Sequence, residues 1–152
     1  MTKRATTHAT FVIERTLKHP PAKVFAAYAD LTQKAKWFGG PPEWTRSTHT
    51  LDFRVGGRES ESGGPHDGPE HTMNALYWDI VQNERIVMSY EMLLGPTRIS
   101  VSLGTTEFKP APEGTTLTYT EQGVFLDGFD DAGGRERGTH ELLDQLVACL
   151  NS

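Results

Sequence analysis

At 152 residues the chain has the length of one domain with one sizeable core; residues 1–152 read as a single unit whose packed part runs from about 10 to 150. A net charge of −5, with Lys and Arg scattered rather than clustered, excludes nucleic acid as the main partner. The single cysteine, Cys149, excludes an internal disulfide, and the lack of any run of about 18 apolar residues excludes membrane insertion.

The N-terminal residues Met1–His8 are polar and offer no apolar segment for a signal peptide, so the expected location is cytoplasmic. From Thr10 to Leu17 the apolar residues Phe11, Ile13 and Leu17 keep the alternating phase of a first strand. Pro20 and Pro21 end it, and proline suits the first turn of a helix. Val24, Phe25 and Tyr28 then share one face of that short helix. Asp30 is placed to cap a second short helix reaching about Trp37, which Gly39-Gly40-Pro41-Pro42 stops.

From residue 46 the period changes to two. Thr48–Val55 is predicted as a strand, Gly56-Gly57 as a tight hairpin turn and Arg58–Ser62 as the returning strand. Ser62–Glu70, rich in Gly and Pro, is predicted as a mobile loop. Thr72–Val81 and Arg85–Leu94 are two longer strands, the second with Ile86, Met88, Tyr90 and Met92 on one face. Arg98–Lys109 follows, with Ile99, Val101 and Leu103 alternating, and then Thr115–Phe125, where Leu117, Tyr119 and Glu121 share a face. The last 20 or so residues return to a helical period. There Leu142, Leu143, Leu146, Val147 and Leu150 form an apolar stripe.

Consecutive antiparallel strands with one apolar face need a cover, and the last helix is the long element available. The expected architecture is therefore α+β. A curved antiparallel sheet, made of one strand, two short helices and about six meander strands, wraps around a long C-terminal helix in a helix-grip fold.

Several segments carry a family resemblance. They are Arg15-Thr-Leu-Lys-His-Pro-Pro-Ala-Lys-Val-Phe-Ala-Ala27, Trp37-Phe-Gly-Gly-Pro41, Phe53-Arg-Val-Gly-Gly-Arg58, Asn83-Glu-Arg-Ile-Val-Met-Ser-Tyr90 and Gly114-Thr-Thr-Leu-Thr-Tyr119. In this order they resemble the START-like, birch-pollen-allergen-like superfamily. Within it they are most similar to the family named after the C-terminal domain of the heat-shock-protein ATPase activator. The resemblance implies a helix-grip container; the superfamily includes lipid carriers, hormone receptors, cyclases and chaperone regulators. One departure stands at Gly138-Thr139, where members of the family often carry Gly-Trp; the smaller Thr139 is expected to open the cavity mouth or to pack differently.

The residues themselves show no Gly-x-Ser-x-Gly elbow, no catalytic histidine motif and no phosphate loop, so no catalytic residue and no cofactor is assigned. His66, Asp67, Glu70 and His71 form the one local group of metal-ligand types, and in a Gly-rich loop they read as solvated. What remains is a chamber. Trp37, Tyr77, Met88, Tyr90, Met92, Val101, Tyr119, Leu143 and Val147 are the candidate wall, with Glu121, Arg58, Asp79 and the Tyr90 hydroxyl as candidate polar contacts. The expected function is binding of a small hydrophobic molecule between sheet and C-terminal helix, with Ser62–Glu70 and Asp127–Gly134 opening to admit it. The alternatives are a cyclase- or lyase-type enzyme using the same chamber, with Glu121, Asp79 or Tyr90 as acid or base, and a module that regulates a chaperone or other protein partner. Whether the chain pairs with a second copy is left open.

Overall fold

The computed structural model describes residues 4–152; Met1–Lys3, part of the stretch read above as lacking a signal peptide, lie outside the described residues. The elements follow the order β1 (Thr6–Leu17), α1 (Pro21–Ala29), α2 (Leu31–Lys34), β2 (Thr45–Leu51), β3 (Arg58–Gly64), β4 (His71–Val81), β5 (Arg85–Leu94), β6 (Thr97–Ala111), β7 (Gly114–Leu126) and α3 (Ala132–Leu150). The strands form one antiparallel sheet in the order β1-β7-β6-β5-β4-β3-β2. After β1 the chain crosses through α1 and α2 to the opposite edge, then meanders back until β7 pairs with β1. This is the expected helix-grip arrangement.

Local chemistry explains the joints. Pro21 opens α1, where a missing N–H costs nothing. Asp30 accepts a hydrogen bond from the Thr32 backbone N–H at 3.2 Å, capping α2. That helix is shorter than expected and ends at Lys34; Trp37 beyond it is held instead by its indole N–H, which donates to the Ala27 carbonyl at 3.0 Å. Asp131 caps α3 by accepting from the Gly134 N–H at 2.7 Å.

Two expected turns differ. β2 ends at Leu51, so Asp52–Gly57 is an irregular connection rather than a two-residue hairpin. Its end is anchored on β4, with Gly56 N–H donating to the Tyr77 carbonyl and Tyr77 N–H to the Gly57 carbonyl. A Cβ at Gly57 would sit 2.0 Å from the Asp52 carbonyl oxygen, so this path needs glycine. The expected loop Ser62–Glu70 is also shorter: Ser62–Gly64 complete β3, and β4 begins at His71.

Phe11, Ile13 and Leu17 of β1, Val24 and Phe25 of α1, Phe108, Leu117, and Leu143, Leu146 and Leu150 of α3 form one buried cluster. Full burial of each such side chain contributes roughly 1.5–3 kcal/mol. The buried residues of α3 all lie in its C-terminal half. Its N-terminal half, with Gly133, Gly134 and Gly138, has no large apolar side chain to bring it onto the sheet. Among the described residues, no helix is long and apolar enough to cross a membrane.

Candidate functional site

Between the sheet and α3 lies a partly open cavity of about 1160 Å³, lined along α3 from Gly134 to Cys149 and bounded on the other side by the segment from Lys34 to Arg46. Its apolar wall includes Trp37, Phe38, Met73, Met88 and Met92. Methionine thioethers adapt to ligands of irregular shape. Two polar clusters are set into this wall.

The first joins α2 to β3 and β4. Glu59, at 2% exposure, accepts from Lys34 Nζ at 2.6 Å and from the Tyr77 hydroxyl at 2.6 Å. Its other oxygen lies 2.8 Å from His49 Nε2. Burial alone would raise the Glu59 pKa, but the Lys34 charge and the hydrogen bonds from His49, Lys34 and Tyr77 outweigh it and hold the carboxyl at about 2. The Lys34 ammonium also lies 4.5 Å from the centre of the Phe38 ring. Beside it, Glu61 accepts from Arg46 Nε at 3.1 Å. Here burial prevails over the Arg46 contacts, and the Glu61 pKa is raised. Arg46 also donates to the carbonyls of Ala35 and Phe38, fastening the mouth segment to the sheet edge.

The second cluster joins β5 and β7 to α3. Glu121, at 1% exposure, accepts from the Tyr119 hydroxyl at 2.7 Å and from the Tyr90 hydroxyl at 2.8 Å. Arg135 Nη1 donates to the Tyr90 oxygen at 2.9 Å and lies 3.4 Å from Glu121 Oε2. Its Nη2 donates to Ser100 Oγ and Asp130 Oδ2, each at 2.8 Å. Burial and the adjacent Glu121 push both phenol pKa values up, so these hydroxyls keep their protons and act as donors. For Arg135, burial works against the charge, but Tyr90, Glu121 and Asp130 outweigh it and raise the guanidinium pKa.

Of the residues expected from the sequence, Trp37, Tyr77, Met88, Tyr90, Met92, Tyr119, Glu121 and Leu143 meet at this cavity. Arg58, Asp79, Val101 and Val147 do not line it. Arg58 is exposed because β3 turns Glu59 and Glu61 inward. Asp79 follows a bulge in which Tyr77 pairs with Met88 and Asp79 with Val87, leaving Trp78 unpaired. The alternation slips by one, and Asp79 bonds Arg85 at 2.6 Å outside the cavity. A second bulge does the same to Val101. Met92 pairs with Ser100 and Leu93 with Arg98, so Ile99 is the extra residue. Ser100, Ser102, Gly104 and Thr106 then face inward, while Val101 is 40% exposed. At Gly104 that inward side must be small: a Cβ there would lie 2.7 Å from the Tyr119 hydroxyl oxygen. Val147 is half-buried against the core cluster.

Sequence reasoning missed Lys34, Glu59, Glu61, Arg46, His49 and Arg135. The available signal was the pair Glu59 and Glu61 at strand spacing, with inward alternation that only compensating cations permit. Among the described residues no three His, Cys, Asp or Glu are grouped to hold a metal ion. His71 instead lies against Trp44, ring centres 4.5 Å apart, and Glu70 accepts from the Ser47 hydroxyl.

Comparison with known proteins places the fold. Residues 18–151 match the profile of the family described as Activator of Hsp90 ATPase homolog 1-like protein. Among solved structures, an uncharacterized protein from Rhizobium leguminosarum is 48% identical, with a TM-score of 0.94 and 99% of each chain covered. A protein from Rhizobium loti is 45% identical, with a TM-score of 0.88 over 95% of this chain and 99% of that one. An AHSA1-like protein from Aeromonas hydrophila, 17% identical with a TM-score of 0.72 over 94% of this chain and 92% of that one, shares the fold. No curated protein matches the chain.

Proposed function

The chain belongs to the Activator of Hsp90 ATPase homolog 1-like family, and from that premise we propose that it binds a small, mainly hydrophobic molecule in the cavity between the sheet and α3. The observation that carries this reading is the cavity of about 1160 Å³ beneath a helix whose N-terminal half has no core of its own. The wall combines an apolar body with few, convergent polar groups, the usual make-up of a small-molecule site.

Magnitudes favour a ligand with both kinds of surface. An occupant burying about 250 Å² of apolar area gains roughly 6 kcal/mol. Association costs offset much of that, while micromolar affinity needs about 8 kcal/mol. The two polar clusters supply the remainder. Acid–base chemistry is the weaker reading of the same residues, since Tyr90 and Tyr119 are held protonated and Glu121 is engaged by three donors.

The test is titration with the neutral fluorophore N-phenylnaphthylamine, alongside native mass spectrometry of the purified protein. Saturable one-to-one binding is expected. Thr139→Trp adds bulk at a position that lines the cavity and is expected to weaken binding at least about tenfold. Absence of saturable binding by the parent protein, or unchanged affinity in a folded Thr139→Trp variant, refutes the container reading.

A further inference from the structure

The charge inventory of the cavity says which polar end a ligand would carry; this step rests on the container reading and deepens it. Three cations reach the wall from buried or half-buried positions, and each is already paired. Lys34 is 2.6 Å from Glu59. Arg46 is 3.1 Å from Glu61. Arg135 lies between Glu121 at 3.4 Å and Asp130 at 2.8 Å. Among these groups four carboxylates thus face three cations, and the exposed Lys36 and Glu141 at the rim add one charge of each sign, so the excess negative charge lies at the Arg135 cluster.

Donor and acceptor counts lead to the same place. A carboxylate offers about four acceptor sites. Glu121 receives Tyr119 on Oε1, the shared Tyr90 proton, and Arg135 on Oε2 only at the long distance of 3.4 Å. Acceptor capacity on Oε2 is left over inside the wall. On the donor side little is spare. The Arg135 Nη2 group is directed at Ser100 and Asp130, its Nη1 group at Tyr90, and the phenol protons at Glu121.

The geometry points to a ligand whose polar end donates hydrogen bonds, an apolar alcohol or protonated amine, docked on Glu121 between Tyr90 and Tyr119. A carboxylate ligand is disfavoured there. It would have to displace Glu121 or Asp130 from Arg135, leaving a buried charge without its partner, which is strongly unfavourable. An ammonium adds a charge-assisted hydrogen bond to Glu121.

The experiment compares three probes with one apolar body, naphthylmethylamine, naphthylmethanol and naphthoate, by calorimetric titration at pH 7. The amine and the alcohol are expected to bind at least about tenfold more tightly than the carboxylate. Glu121→Gln is nearly isosteric and is expected to weaken the amine at least about tenfold and the alcohol, which loses only a hydrogen bond to a charged acceptor, by a smaller factor. Asp130→Asn, at the cavity edge, removes the excess charge without touching Glu121 and provides a second variant; it is expected to weaken the amine alone by a few-fold. Carboxylate binding as tight as that of the amine and alcohol, or an amine affinity unmoved by both substitutions, overturns the inference while the container reading stands. Binding of none of the three probes, together with failure of the neutral fluorophore, overturns both.

Discussion

Lys34→Met would leave the Glu59 carboxylate at 2% exposure with His49 and Tyr77 as its remaining partners. The intact cluster holds the Glu59 carboxyl at about 2 against an ordinary 4.5. Linkage converts that difference into about 3 kcal/mol of stability at neutral pH, in line with the roughly 3–5 kcal/mol lost when one partner of a buried pair is removed. The sign follows from a depressed carboxylate: the contribution is complete above the unfolded value near 4.5 and is lost as pH falls through about 2. Urea unfolding at pH 7 should therefore show a loss of about 3 kcal/mol, or a midpoint lower by roughly 1–3 M. At pH 3 the gap between the parent protein and the variant should be smaller by about 2 kcal/mol. Adding Glu59→Gln to Lys34→Met should recover most of the loss, because no uncompensated charge then remains. A loss below about 1 kcal/mol at pH 7, or a gap that does not narrow at pH 3, would refute the assignment of Lys34 and Glu59 as an interdependent buried pair.

Other outcomes follow from single positions. Gly57→Ala places a Cβ 2.0 Å from a backbone oxygen and should lower stability by at least about 2 kcal/mol, measured by thermal or urea unfolding. Gly138→Ala is the opposite case: in the middle of α3 with no atom within 4 Å of the new Cβ, it should raise stability by about 0.5–1 kcal/mol. Tyr77→Phe removes a buried donor from Glu59 and should cost about 1–3 kcal/mol at pH 7. Arg58→Ala and Asp79→Asn, at positions turned away from the cavity, should leave the affinity for N-phenylnaphthylamine within about twofold, whereas a larger change would mean that these side chains reach the ligand.

The fold was legible because its signals are local. Alternation in β1, β5 and β7, the proline entry to α1, and the stripe of Leu143, Leu146 and Leu150 each lie within a short stretch of chain, and together they order the elements. The apolar wall was legible for the same reason: Met88, Tyr90 and Met92 keep one phase along β5, and Tyr119 and Glu121 keep one phase along β7. Legibility failed where a single residue interrupts the phase. Trp78 and Ile99 each stand in a bulge, and every inference carried past them, to Asp79 and to Val101, fell on the wrong face.

The polar half of the cavity depended on contacts that no local pattern encodes. Lys34 and Glu59 are 25 positions apart, and Tyr90 and Arg135 are 45 apart. Hydropathy places Glu59 and Glu61 at the surface, since an unpaired carboxylate pays a large desolvation cost in an interior; only the closure of α2 and β2 over β3 supplies Lys34 and Arg46 and reverses that sign. The sequence by itself determined the order of strands and helices and the apolar face of those whose period runs unbroken, because periodicity follows from backbone geometry. Tertiary structure alone decided how the charges pair and which residues line the cavity beside α3, because ion pairs and cavities arise only when distant segments meet.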